Sequence, residues 1–153
     1  MSSQTPTPKP RRAPAKILFV CVGNACRSQM AEGFANHLGK GRVRAFSAGS
    51  HPYGSIVDDT SIVMGEKQVS LEGQWSKGLD DVLVADMDVV VTMGCEVECP
   101  LPDGFKGRLV DWNIPDPFAR DIKTFRSIRD KIERQVVELL AELPARDASA
   151  ARS

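Results

Sequence analysis

The stretch Cys21-Val22-Gly23-Asn24-Ala25-Cys26-Arg27-Ser28 constrains this chain more than any other. Before it, Lys16-Ile17-Leu18-Phe19-Val20 follows a proline-rich segment and reads as a buried parallel strand; after it, Gln29 to Leu38 has helical periodicity. Cys21 therefore sits at a strand-to-helix turn. In that setting the backbone N–H groups of residues 22–28 converge on an anion, the helix beginning near Ser28 adds its positive end, and the Arg27 guanidinium can grip two oxygens. The same field favours a thiolate, since cysteine pKa values drop from about 8.5 to roughly 3.5–7.5 at helix N-termini and beside cations. Cys21 is expected to be ionised at neutral pH and poised to attack a phosphate-like centre. The alternative is a structural cysteine buried at a strand end. A nucleotide P-loop is excluded, because there is no lysine in the loop and no G-x-x-x-x-G-K-[ST] spacing.

The segment Val20 to Phe34 (VCVGNACRSQMAEGF) resembles the active-site segment shared by low-molecular-weight protein tyrosine phosphatases and the arsenate reductases built on the same fold. The extension Gln29-Met30-Ala31-Glu32-Gly33 is more similar to the reductase branch, and the resemblance continues through Ser47-Ala48-Gly49 to Asp116-Pro117, over roughly residues 16–142. It implies a three-layer α/β fold with a four-stranded parallel sheet and helices on both faces. It also implies reduction of arsenate to arsenite, or hydrolysis of a phosphomonoester as the alternative; a non-enzymatic redox sensor or oxyanion-binding module is a third reading. Cys95 and Cys99 bear on the choice. They follow the apolar run Val89-Val90-Val91, which puts them at the carboxyl end of another strand, on the same sheet edge as Cys21. A reductase draws two electrons from thiols and a phosphatase needs neither cysteine. A C-x-x-x-C pair can also hold zinc, close a structural disulfide or be inert; His37 and His51 offer no second ligand pair, and a chain without a secretion signal reads as cytosolic, where disulfides are mostly catalytic. The last two cysteines lie closer together than in the best-known thioredoxin-coupled reductases. The expected donor is thioredoxin, with a low-molecular-weight thiol plus a glutaredoxin-like partner as second choice, and no cofactor is bound.

Asp116, in Ile114-Pro115-Asp116-Pro117-Phe118, matches the Asp-Pro of the family's acid loop and is the candidate proton donor to the departing oxygen; flanking prolines fix its backbone, although Asp-Pro is also a common turn. Asn24, Ser28, Glu32 and Ser47 are supporting candidates. Asn24 tolerates a left-handed backbone and is expected to tie the loop to the Ser47 turn, with the Ser28 hydroxyl donating to Cys21. Some reductases of this fold hold potassium at positions matching Asn24, Glu32, Ser47 and an aspartate. Lys77 aligns with that aspartate, so an ammonium is expected to replace the ion, with no metal required. Cys26 is either a partner for a protective disulfide with Cys21 or a small residue packed behind the loop. Phosphotyrosine-specific members follow Asp-Pro with tyrosines, where this chain has Phe118-Ala119, so an aromatic slot would have to come from Phe118, His51 or Trp75. Trp75 and Trp112 could otherwise be shielding or packing residues, and neither histidine is assigned a role.

The rest of the 153 residues agree with one domain over 15–143, between tails at 1–14 and 144–153. Equal counts of 20 basic and 20 acidic residues argue against a nucleic-acid partner, and no apolar span is long enough for a membrane. The chain is expected to be a cytoplasmic monomer binding arsenate or phosphate and a thioredoxin-like reductant. Strands are predicted near 16–21, 43–47, 88–93 and 107–111. Helices are predicted near 28–39, 57–67, 79–85 and 121–142, the last with Ile122, Phe125, Ile128, Ile132, Val136 and Leu139 on one face. Such alternation implies a doubly wound parallel sheet with right-handed crossovers.

Overall fold

Four strands, β1 (Ala15–Cys21), β2 (Val43–Gly49), β3 (Val89–Thr92) and β4 (Arg108–Asp111), form one parallel sheet in the order β2-β1-β3-β4. The computed structural model describes residues 13–94 and 99–143; most of both predicted tails, and Cys95, lie outside the described residues. β1 pairs with β2 from Ala15↔Val43 to Cys21↔Gly49 and with β3 from Ile17↔Val89 to Val20↔Thr92. It is one of the two inner strands, with β3, and it is buried on both faces because every residue from Leu18 to Val20 is apolar. Ile17, Phe19 and Cys21 point into the larger core, and Leu18 and Val20 into a second core on the opposite face.

Helices α1 (Arg27–Leu38), α2 (Asp58–Gly65) and α3 (Ile122–Glu142) pack together over the larger core. α3 buries Phe125, Ile128, Ile132, Val136 and Leu139, the face its periodicity predicts, and Asp121 caps its start by accepting from the Thr124 N–H at 3.0 Å. The helix predicted at 79–85 is instead two short 3-10 turns, Leu79–Asp81 and Val84–Asp86, which cover the opposite face with Leu79, Val82 and Val84. Asp80, Asp81 and Asp86 interrupt any longer helical stripe there, so each turn closes after three residues. Among the described residues no helix is long and apolar enough to cross a membrane.

α2 and α3 are tied by charge. Glu66, at the end of α2, accepts from Arg126 Nε at 3.0 Å and Nη2 at 2.8 Å and from Arg129 Nη1 at 2.6 Å. The hydrogen bonds from Arg126 and then Arg129 hold its carboxyl well below the usual 4.5, at about 2. A carboxyl with a depressed folded-state pKa adds stability that is present above the unfolded value and lost as pH falls through the folded one. Wild type should therefore lose more of its urea midpoint than Glu66→Gln between pH 4.5 and about 2. Equal losses would mean that the bridge contributes nothing.

With β2 on one side of β1 and β3 on the other, chain direction switches between the carboxyl ends of β1 and β3, where ligands bind in open α/β sheets. Cys21 ends β1, and the 93–94 turn follows β3 at the same edge.

Candidate functional site

Cys21, Val22, Gly23, Ala25, Cys26, Arg27, His51, Tyr53, Asp116 and Phe118 line one pocket of about 210 Å³ at this edge. The loop from Cys21 to Ser28 curls because Asn24 takes a left-handed backbone, φ +50°. Its N–H then lies 3.2 Å from Cys21 Sγ, and Ser28 Oγ lies 2.9 Å from the same sulfur. Backbone bonds hold the loop from outside: Ser50, His51 and Tyr53 donate to the carbonyls of Cys21, Val22 and Gly23 at 3.0, 2.8 and 2.8 Å. Thr60 Oγ1, on α2, donates to the Ala25 carbonyl at 3.0 Å. α1 begins at Arg27 with no side-chain cap, so its positive end abuts the loop.

Gly49 makes the fit possible. A Cβ there would stand 2.6 Å from the Val22 carbonyl oxygen, 2.9 Å from the Asn24 nitrogen and 3.0 Å from the Gly23 carbonyl carbon. All three are loop backbone, so Gly49→Ala must push the loop itself. Phosphate affinity should fall by about tenfold or more and stability by about 1–3 kcal/mol, read by titration calorimetry and thermal melts. Wild-type phosphate affinity in this variant would show that the loop is not shaped by this contact.

Arg27 is buried at 1% exposure, and its Nη1 donates to the carbonyls of Met93 at 2.6 Å and Ile114 at 2.9 Å. Its Nη2 lies 3.7 Å from Asp116 Oδ2. Asp116 is half exposed, and its Oδ1 also accepts from the Phe118 N–H at 3.0 Å. Asp116 thus caps its own turn, as the turn reading expects, and also lines the pocket.

The supporting residues divide differently from expectation. Asn24 is not bonded to Ser47; its Nδ2 donates to Ser28 Oγ at 2.7 Å and its Oδ1 accepts from the Lys77 N–H at 2.8 Å. The turn after β2 reaches the loop through the three backbone bonds above, and Ser47 Oγ instead donates to Glu32 Oε1 at 2.5 Å. Lys77 Nζ is 3.9 Å from that oxygen and donates to the Trp75 carbonyl at 2.9 Å. Burial pushes the Glu32 carboxyl up, opposed by Ser47 and Lys77, and pushes the Lys77 ammonium down, opposed by Glu32 and Asp81. Among the described residues no group of three or more His, Cys, Asp and Glu side chains could hold a metal.

Cys26 is buried, and burial pushes its thiol up to about 12, against a hydrogen bond with Thr60 that lowers it. It packs behind the loop as a neutral thiol. Cys99 is half-buried, with its thiol pushed up by burial, and packs against the core of Leu18, Val20 and Val90. It shares the carboxyl edge with Cys21 but packs on the other face of the sheet.

One of the expected aromatic residues lies elsewhere. Trp75 is not part of the pocket; it is 55% exposed and carries Lys77 Nζ 5.1 Å from its ring centre. The mouth is flanked by Phe118 and His51, two of the three residues expected there, and by Tyr53, which makes an edge-to-face pair with Phe118 at a centroid distance of 5.1 Å. Trp112 is core, 5.6 Å from Phe19. Tyr53 and Thr60 carry no sequence signal, since each lies in an ordinary polar stretch remote from Cys21.

Residues 16–149 match the family described as low molecular weight phosphotyrosine protein phosphatase. The chain belongs to this family. It is 36% identical to the glutaredoxin arsenate reductase of Synechocystis over 130 residues, 84% of this chain and 98% of that protein. A solved arsenate reductase in the phosphate binding state superposes with a TM-score of 0.77 at 34% identity, covering 84% of this chain and 98% of that one. The thioredoxin-dependent arsenate reductase of Corynebacterium glutamicum superposes with a TM-score of 0.71 at 30% identity, covering 84% and 61%. The matching family is named for phosphatases, and these relatives are named as arsenate reductases.

Proposed function

We propose that this chain reduces arsenate to arsenite. The observation that carries the reading is the convergence of Cys21, Arg27 and Asp116 on one pocket, in a chain that also has Cys95 and Cys99 and is 36% identical to an arsenate reductase. Arsenate enters the 21–28 loop, where backbone N–H groups and Arg27 neutralise its charge. The Cys21 sulfur attacks arsenic, an As–O bond breaks, and Asp116 supplies the proton with which that oxygen leaves as water. Cys95 then attacks the Cys21 sulfur. The electron pair of the S–As bond departs with arsenic as arsenite, and a disulfide joins the two cysteines. Cys99 attacks Cys95, closes the 95–99 disulfide and returns the Cys21 thiolate. For that last step Cys99 has to leave its packing on the far face of the sheet.

The Lys77 ammonium beside Glu32 stands in for a cation in this proposal, so no metal is required. The 95–99 disulfide is reduced by an external dithiol, thioredoxin first or a low-molecular-weight thiol with a glutaredoxin-like partner, and the enzyme acts as a cytoplasmic monomer. Names of both donor kinds occur among its relatives.

The test is to mix reduced protein with stoichiometric arsenate and no other reductant. One arsenite per chain, with two thiols lost and mapped to Cys95 and Cys99, is expected. Cys99→Ser should stop at a disulfide that retains Cys21. A phosphomonoester hydrolase is favoured by one separate observation, the Tyr53–Phe118 pair at the mouth, which fits an aryl group. Release of phosphate from an aryl phosphate, together with no arsenite in the stoichiometric mixture, would replace the reductase reading with that one.

A further inference from the structure

We propose that Gln29 and Gln74 are positioning residues that hold Asn24 in the orientation set by three backbone groups, and through it the direction of the hydrogen bond between Ser28 and the Cys21 sulfur. The inference rests on the reading of Cys21 as nucleophile and concerns two residues outside the pocket lining. Gln29 lies in the first turn of α1 and is fully buried. Gln74 lies half-buried in the long connection between α2 and β3.

A side-chain amide or hydroxyl can be turned either way, so the direction of each bond must come from groups that cannot. Three backbone groups decide it here. The Trp75 and Asn24 carbonyls can only accept, and each stands 3.0 Å from Gln29 Nε2, so the nitrogen of that amide faces them. Gln29 Oε1 is thereby turned toward Gln74, whose Nε2 donates to it at 2.8 Å and to the Gln29 carbonyl at 3.1 Å. The third group is the Lys77 N–H, which can only donate. It lies 2.8 Å from Asn24 Oδ1, and Gln29 Nε2 donates to the same oxygen at 2.9 Å. With its oxygen committed on that side, Asn24 presents Nδ2 to Ser28 Oγ at 2.7 Å. Ser28 Oγ is then the acceptor in that bond, which leaves its own hydrogen for Cys21 Sγ at 2.9 Å.

The Asn24 side chain is therefore held by two donors, one from backbone and one from Gln29, and Gln74 holds Gln29. This clamp also steadies Asn24 in its left-handed conformation, the one that brings its N–H to the same sulfur. A donated hydrogen bond stabilises negative charge on sulfur, whereas an accepted one opposes it. Loss of Gln74 leaves Gln29 Oε1 without its donor and the amide held by the two carbonyls alone, and the effect reaches Cys21 as a weaker bond from Ser28.

The experiment is the pH dependence of Cys21 alkylation by iodoacetamide on the reduced full chain, with the Cys21 peptide quantified by mass spectrometry apart from those of the other cysteines. Gln74→Met keeps the length and removes the donor at a half-buried position. Its alkylation inflection should rise by about half a pH unit, roughly a threefold loss of thiolate at pH values below the inflection, beside a thermal midpoint lower by a few degrees because the buried Gln29 Oε1 loses its donor. Gln29→Met should shift it further. Gln74→Lys restores a donor and should bring the inflection back to the wild-type position or below. An inflection in Gln74→Met that coincides with wild type overturns the inference, as does Gln74→Lys shifted upward as far as Gln74→Met. If wild-type Cys21 reacts no faster at neutral pH than a free thiol, the nucleophile reading itself falls and this inference with it.

Discussion

Cys21→Ser should lose arsenite production by a factor of about 10⁴ or more while keeping its fold and most of its oxyanion affinity. The side chain is 2% exposed, and its hydrogen-bond partners, Ser28 Oγ at 2.9 Å and the Asn24 N–H at 3.2 Å, serve an oxygen as well as a sulfur. A serine hydroxyl is slightly smaller and keeps those contacts, so the thermal midpoint should move by only a few degrees, in line with about 1 kcal/mol. What serine lacks is chemistry. Its hydroxyl is not ionised near neutral pH, and an alkoxide bonded to arsenic cannot be attacked by a thiol to make a disulfide, so the two electrons never leave the protein. The backbone N–H groups and Arg27 remain, and phosphate should still bind within a few-fold of wild type. Calorimetric titration with phosphate beside an arsenite assay checks both halves. Arsenite turnover in this variant at even about 1% of wild type would mean that another thiol starts the reaction.

Arg27→Lys should fail differently, losing oxyanion affinity and stability together. The guanidinium is 1% exposed, and one of its nitrogens holds the carbonyls of Met93 and Ile114, which follow β3 and β4. A single ammonium on a flexible stem cannot span two carbonyls and still present a planar fork to an anion. At least one buried carbonyl is left without its donor, at about 1–3 kcal/mol, and charged hydrogen bonds of roughly 1.5–3 kcal/mol are weakened, so an overall loss of about 2–4 kcal/mol is expected. Phosphate affinity should fall by about a hundredfold, since bidentate charge-assisted contacts are replaced by a point charge. The pairing of the two losses separates this arginine from Cys21, whose removal affects chemistry alone. A lysine variant that binds phosphate like wild type would show that the backbone loop, not Arg27, supplies the affinity.

Both predictions concern residues that could be singled out from the chain alone, and the reason is distance along it. Cys21, Asn24, Arg27 and Ser28 lie within eight positions, so a strand, a left-handed turn and a helix start suffice to bring them together. The buried face of α3 was legible for the same cause, because a 3.6-residue period is a local property. Residues 79–85 misled, since their apolar spacing suggested one helix where Asp80, Asp81 and Asp86 interrupt the stripe and two tight turns lay Leu79, Val82 and Val84 on the second core.

The surroundings of the loop belong to the other category. Asn24 could be marked as left-handed from its residue type, but its partners could not. The Lys77 N–H reaches it from 53 positions away, and Ser47, two positions before the glycine that touches the loop, bonds Glu32 instead. Tyr53 and Phe118 are 65 positions apart in sequence and meet only because the turn after β2 and the acid loop emerge at one sheet edge. Cys99 shares that edge by sequence position but packs on the opposite face, which no spacing rule distinguishes. By itself, then, the chain determined the anion loop around Cys21 and the alternation of strands and helices, both set by near neighbours and short periods, while Asp116 was singled out as candidate acid only by the family resemblance. The partners that orient the loop and the residues that shape its mouth were decided by the β2-β1-β3-β4 order, because only the assembled sheet brings such distant segments to the carboxyl end of β1.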